Sequence, residues 1–267
     1  MRARLLLPAL VAFAAAALVA QPTVVQPSGP EAATETRTLP LRHGAKLKVA
    51  NVNGDIRVEA WDQEQVAWTG AFTPSGQGEH AKVHFEGGRD GLEIRGEYPK
   101  ARGFRGRSAR VQMTLKVPRR ALANLDTVNG NLGLNGTQAA ALLHTVNGEI
   151  QVRAAGGGVE AETVNGRIGL DEVKGRIALE TVNGGIEAMR LDPEGQGLKA
   201  STVNGAIHLH VDGLKGELRA RAVNGSVSFQ AKGAEGVKLT RRAVEAILPG
   251  STQSLQLNTV NGGITIE

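Results

Sequence analysis

Six histidines are spread along the chain: His43, His80, His84, His144, His208 and His210. Only the last two are close in sequence. Two residues apart on a strand, they share a face, and imidazoles on one face can chelate a metal. No third ligand accompanies them, so two outward histidines are the simpler reading. Carboxylates offer a second chemistry. Glu160, Glu162 and Glu180 fall at matching places of neighbouring repeats, where an acid and a base could pair for glycoside cleavage. Lys199, Arg219 and Arg221 continue the same positions, so the stripe passes from acidic to basic and reads as a solvated face. The 267 residues contain no cysteine. Disulfides and thiolate chemistry are therefore excluded, and no Gly-x-Ser-x-Gly elbow is present. The residues after each Asn-Gly are Asp55, Asn131, Glu149, Arg167, Gly185, Ala206, Ser226 and Gly263. That column is too poor in acid for the calcium-binding β-roll pattern. Neither a phosphate loop nor a dinucleotide fingerprint occurs. The expectation is a protein without catalytic residues, metal or cofactor.

One cluster could bind anions. Lys100, Arg102, Arg105, Arg107 and Arg110 lie close together around Phe104. They could hold phosphate-rich envelope polymers or lipid headgroups, or simply form a solvated loop. After residues 1–20 the aromatics lie mostly N-terminal: Trp61, Trp68, Phe72, Phe85, Tyr98 and Phe104, with Phe229 alone later. An aromatic platform for sugars is therefore not expected on the later part, and the tryptophans read as core.

These residues must be held by elements, and the elements repeat. Val-Asn-Gly occurs eight times, at Asn53-Gly54, Asn129-Gly130, Asn147-Gly148, Asn165-Gly166, Asn183-Gly184, Asn204-Gly205, Asn224-Gly225 and Asn261-Gly262. The glycine spacings are 76, 18, 18, 18, 21, 20 and 37. The last is near two periods, as if one coil had lost its signature. Thr127, Thr145, Thr163, Thr181, Thr202 and Thr259 precede the valine in six copies. Each period holds two alternating stretches, such as Ile168 with Leu170, and Ile177 with Leu179 and Thr181. Alternation of period two marks half-buried strands. Thr163 and Ile168 both face inward across an odd interval, so the alternation must break at Asn-Gly. A left-handed glycine would make that break cheap. The same positions read as structural corners rather than ligands.

Asn-Gly is also a hairpin signal, which would give an antiparallel meander. A fixed period instead stacks Thr on Thr and Asn on Asn if each period is one coil. The fold expected is all-β: a parallel β-solenoid (β-helix-like) with coils of about 18 residues. About seven coils at about 4.8 Å would span roughly 34 Å. Residues 36–126 read as a β-rich N-terminal module that caps the first coil, with Lys46 to Trp61 already repeat-like. Residues 127–267 form the solenoid, continuous with that module. A strand–Pro–strand–corner unit ending at Pro118 looks echoed by one ending at Pro249. The final coil, from Thr259, looks like a bare edge able to pair with a second copy.

Residues 1–20 read as a signal peptide. Arg2 and Arg4 precede an apolar run of about 16 residues, short of the roughly 20 that span a membrane. Small residues follow, and no cysteine marks a lipid anchor. Residues 21–35, rich in Pro and polar groups, read as a flexible spacer. The whole chain carries a formal charge of +5 with 35 glycines.

The Thr-Val-Asn-Gly repeat, the upstream Asn-Gly-Asp-Ile-Arg-Val with Trp61-Asp62, and the Val-Pro strand together resemble a known family. It is the bacterial "putative-adhesin" β-strand-repeat family (domain of unknown function 4097), over about residues 40–267. The resemblance implies an extracytoplasmic β-solenoid with adhesin-like or envelope roles and brings no catalytic residues. The expected function is a non-catalytic, exported binding or interaction scaffold, periplasmic, surface-held or secreted. Its partner would be an envelope or surface component, anionic if the basic loop binds it, and not nucleic acid. A self-associating structural element or an envelope-stress accessory protein is the alternative. A polysaccharide-active β-helix enzyme fits least well.

Overall fold

Thr, Val and Ile alternate with polar residues through most of the chain, and such stretches can bury only one face. The computed structural model describes residues 22–99, 108–250 and 253–267, and all of its regular elements are strands. The N-terminal ones are β1 (Thr23–Val25), β2 (Ala33–Pro40), β3 (Lys46–Ala50), β4 (Ile56–Trp61), β5 (Gln65–Thr73), β6 (Lys82–Gly88), β7 (Gly91–Glu97) and β8 (Arg110–Pro118). The central ones are β9 (Leu122–Asn129), β10 (Leu132–Asn135), β11 (Ala141–Asn147), β12 (Ile150–Ala155), β13 (Val159–Asn165), β14 (Ile168–Val173), β15 (Ile177–Asn183) and β16 (Ile186–Met189). The last are β17 (Leu198–Asn204), β18 (Ile207–Leu209), β19 (Gly216–Asn224), β20 (Val227–Phe229), β21 (Glu235–Leu239), β22 (Ala243–Leu248), β23 (Ser254–Asn261) and β24 (Ile264–Ile266).

They form two facing sheets. The front sheet has 13 strands in the order β1-β6-β7-β3-β9-β11-β13-β15-β17-β23-β19-β22-β21. The back sheet has 11, in the order β2-β5-β8-β4-β10-β12-β14-β16-β18-β24-β20. From β7 to β19 in front, and from β8 to β20 behind, every pairing is parallel. Each layer is one front strand and one back strand, which is the parallel β-solenoid expected. The strands from β9 onward make the seven layers expected, and β7/β8 and β3/β4 add two more, about 40 Å of stack at about 4.8 Å each. Register is kept residue for residue: Thr145 faces Thr163, and Asn147 faces Asn165. A slip of one residue would turn every apolar side chain out to water, so the alternation enforces this register.

The core lies between the sheets. Ile150, Ile168, Ile186, Ile207 and Ile264 stack in one inward column of the back sheet, each at most 1% exposed. Burying one such side chain contributes about 1.5–3 kcal/mol. Trp68, Phe72 and Phe85 fill the N-terminal end, with Trp68 and Phe85 edge to face at 4.9 Å. Antiparallel strands close both sheets at one end, β6 and β1 in front and β5 and β2 behind; at the other end β22 and β21 extend the front sheet, and the back sheet ends at β20.

Several expectations need correction. Residues 21–35 are not all spacer. Val24 and Val25 are β-branched, and β1 pairs with β6 while β2 begins at Ala33. The division at 126/127 falls inside β9, and β3 with β4 forms a layer of the solenoid itself, between β7/β8 and β9/β10. The final coil is not an edge. β23 lies between β17 and β19, and β24 between β18 and β20. The 37-residue spacing therefore holds no degenerate coil. The chain leaves β20, makes the β21–β22 hairpin, and returns to slot in one layer earlier. The two Val-Pro and Leu-Pro strands are not equivalent either: β8 is in the back sheet, β22 in the front.

Candidate binding surface

Eight of the nine layers turn from front to back through Val-Asn-Gly, and each residue of the corner has a separate task. The threonines are buried, at most 4% exposed. Their hydroxyls donate to the glycine carbonyl of the adjoining layer: Thr163 to Gly148 at 3.1 Å, Thr181 to Gly166 at 3.0 Å, Thr202 to Gly184 at 2.9 Å. Asn51 takes the threonine place in the second layer. Its side-chain amide donates to Gly54 and Val111 carbonyls, and the Tyr98 hydroxyl donates to its Oδ1 at 2.5 Å. Burial pushes the Tyr98 phenol up to about 12.

The asparagines form one continuous ladder. Each Nδ2 donates to the Oδ1 of the adjoining asparagine at 2.8–3.0 Å, from Asn53 through Asn129, Asn147, Asn165, Asn183, Asn204 and Asn261 to Asn224. Their structural role is thus hydrogen bonding along the stack. Asn165→Asp is expected to cost about 1–2 kcal/mol, because a carboxylate cannot donate to Asn147 Oδ1 and sets oxygen against oxygen. A urea titration followed by circular dichroism reads this; an unchanged midpoint would remove the ladder from the account.

The glycines are required for a different reason from the one expected. Among corner glycines only Gly54 has positive φ, at 127°. At Gly166 an added Cβ would sit 1.8 Å from the Gly148 carbonyl oxygen, and Gly184 and Gly205 repeat that contact one layer along. Close approach of backbones excludes a side chain there. The opposite corner does use left-handed residues, the stacked Ala154, Glu172 and Arg190 at φ 51–56°.

With threonine inward, the valine beside it must point outward. Val52, Val128, Val164, Val182, Val203, Val260 and Val223 are 37–51% exposed, and Val146 is half-buried. They make an apolar column down the front sheet. Sequence reasoning missed this surface, although the alternation that buries Thr163 already turns Val164 out. Beside the column runs a shallow groove of about 450 Å³. Its other wall, layer by layer, is His144, Glu162, Glu180, Ser201, Asn258 and Arg221. The next column outward is Leu142, Glu160, Ala178, Lys199, Gln256 and Arg219.

The expected change from acidic to basic along these columns is present. Glu180 binds the Lys199 ammonium at 2.5 Å, and that hydrogen bond raises the lysine above its ordinary pKa. Arg219 pairs with Glu217 at 3.1 Å. Glu160, Glu162 and Arg221 make no ion pair with another described residue. His208 lies outward on β18, while His210 follows that strand and approaches Glu267 at 3.6 Å. No group of three metal-ligating side chains gathers among the described residues. Of the basic cluster, Lys100, Arg102, Arg105 and Arg107 lie outside the described residues, as do residues 1–20. Arg110 is exposed at the start of β8, in the layer that lacks the Val-Asn-Gly corner.

No family profile and no curated protein matches the chain. Solved structures do. One described as "a putative adhesin", from Bacteroides fragilis, aligns at 14% identity over 89% of this chain and 97% of its own, with a TM-score of 0.50. A "putative cell adhesion protein" from Clostridium sporogenes aligns at 12% identity over 88% and 99%, with a TM-score of 0.35. A "putative lipid binding protein" from Parabacteroides distasonis aligns at 12% identity over 88% and 96%, with a TM-score of 0.34. The chain shares its overall fold with the Bacteroides fragilis protein.

Proposed function

We propose that the chain is a non-catalytic, adhesin-like binding scaffold acting outside the cytoplasm, and that the valine column of the front sheet is its binding surface. The column itself carries this reading. A monomer rarely leaves a long contiguous apolar surface in water unless something covers it. Nothing in the corner requires valine, since its side chain makes none of the hydrogen bonds there. A serine would serve the backbone equally well and would be better hydrated. The carboxylates support a binding rather than a catalytic role, because they stand on an open face and Glu180 is tied to Lys199. The repeat's resemblance to the adhesin-like family, and the description of the Bacteroides fragilis protein, agree with this reading. The charged leader sequence supports an extracytoplasmic location.

The triple variant Val164→Ser, Val182→Ser, Val203→Ser tests it. Each side chain is about 40% exposed, so each change should cost about 1 kcal/mol or less, and unchanged circular dichroism confirms that the variant folds. Retention of isolated cell-envelope fractions on the immobilised variant should fall to background while the native chain retains them. Equal retention by both would place binding elsewhere.

A further inference from the structure

The charges in the column next to the valines are arranged so that this column complements itself. Glu162 lies on β13 and Arg221 on β19, four layers apart in the stack, about 19 Å. Both line the groove, and neither comes within 4 Å of an opposite charge among the described residues, although the Glu162 charge acts on Lys199. Midway between them is β17, with Ser201 in the charged column and Val203 in the apolar one. Turn a second copy over about an axis parallel to the strands and passing above β17. Layers then exchange about that axis while columns stay opposite themselves. Glu162 meets Arg221 of the second copy, and Arg221 meets its Glu162. Val164 meets Val223, Val182 meets Val260, and Val203 meets itself. In the column beyond, Glu160 would meet Arg219, and Lys199, held by Glu180, would meet its own copy. In the charged column the central layers carry Ser201 and Asn258, short side chains that let the faces approach. Glu180 there is drawn sideways by Lys199. Arg221 could meet Glu180 or Asp126 at another layer offset, but Glu162 would then face the uncharged Ala243 or Ser201.

We infer that the partner of this face is a second copy of the chain, in a two-fold dimer sealed by valine against valine and aligned by two Glu162–Arg221 pairs. A closed two-fold interface needs one self-complementary patch, and this patch supplies both apolar contact and opposed charge. The inference rests on the reading of the valine column as a binding surface and identifies what covers it.

Sedimentation equilibrium of the purified chain tests it, over a concentration series and at low and high salt. The native chain should dimerise, more weakly as salt rises, because the charge pairs lie beside the apolar seam rather than under it. Glu162→Arg opposes arginine to arginine, and Arg221→Glu opposes glutamate to glutamate. Each should raise the dimer dissociation constant by about tenfold or more. The double variant Glu162→Arg, Arg221→Glu restores opposite charges and should recover native dimerisation. Both side chains stand on the outer face, and unchanged circular dichroism confirms that the variants fold. A double variant as weak as the singles overturns the geometry. A native chain that stays monomeric throughout overturns the dimer; if the serine variant still loses envelope retention, the binding surface survives without it. Failure of both experiments sinks both readings.

Discussion

Gly166→Ala is expected to destabilise the fold by about 3 kcal/mol or more, and Gly166→Val to abolish cooperative folding. The added Cβ would lie 1.8 Å from the Gly148 carbonyl oxygen and 2.6 Å from its carbon. Both atoms are backbone, so no flexible side chain can swing aside. Relief requires the two layers to part. Parting them would break Gly148 N–H to Asn165 O, 3.1 Å, and Thr163 to Gly148, 3.1 Å, together with the asparagine ladder on either side. Two controls isolate the cause. Arg167→Ala removes an exposed side chain 4.0 Å from Glu187 and should change stability by no more than about 0.5 kcal/mol. Gly44→Ala places a side chain at φ +80° with nothing within 4 Å, and should show the backbone cost alone, about 1–2 kcal/mol. Denaturation midpoints rank the three. If Gly166→Ala unfolds with Arg167→Ala, the layers are not packed as closely as described.

Deleting residues 253–267 should unfold far more than the 15 residues removed. Were β23 and β24 a terminal layer, their loss would shorten the stack by one step and leave the rest intact. They are instead the layer that joins β17 and β18 to β19 and β20. Without them the last segment faces a gap of two layer spacings, about 9.6 Å, across which no backbone hydrogen bond reaches. Leu218, Ala220 and Val244, each at most 2% exposed, would lose the neighbours that cover them. Hydrogen exchange should therefore show residues 214–250 unprotected, while residues 110–204 keep their protection. Retained protection across 214–250 would mean that β19 and β20 had closed onto β17 and β18, and that layers in this solenoid are interchangeable.

The repetition of one corner in nearly every layer explains which features could be read in advance. Strand positions were legible because Thr163, Val164 and their counterparts alternate with period two over short segments. The corner position was legible because Asn and Gly recur at fixed spacing. The reason for the glycine was not, because a tight turn and a close backbone approach both select Gly, and only coordinates tell φ from contact. The valine column was within reach of the same alternation argument. It was overlooked because a repeated apolar residue in a corner motif suggests core.

From its residues alone this chain is determined to be all-β and repeating, with threonine inward and Asn-Gly at the corners, and the fixed period favours parallel stacking over a meander. Those are local properties, set by side-chain alternation and by what each corner residue can bond. The order of the layers belongs to the tertiary structure. Every layer offers its neighbours the same backbone ladder and nearly the same Thr-Val-Asn-Gly column, so local chemistry does not say which layer stacks on which. Two placements therefore came only from the assembled molecule: residues 46–61 between the β7/β8 and β9/β10 layers on one side of the stack, and residues 254–266 ahead of β19 and β20 on the other. Long-range closure decided both. At the C-terminal end the chain passes a layer by, adds β22 to the outside of β19 and returns to fill the gap; at the N-terminal end it lays β3 and β4 first, continues outward through β5 to β8, and then steps over them to β9.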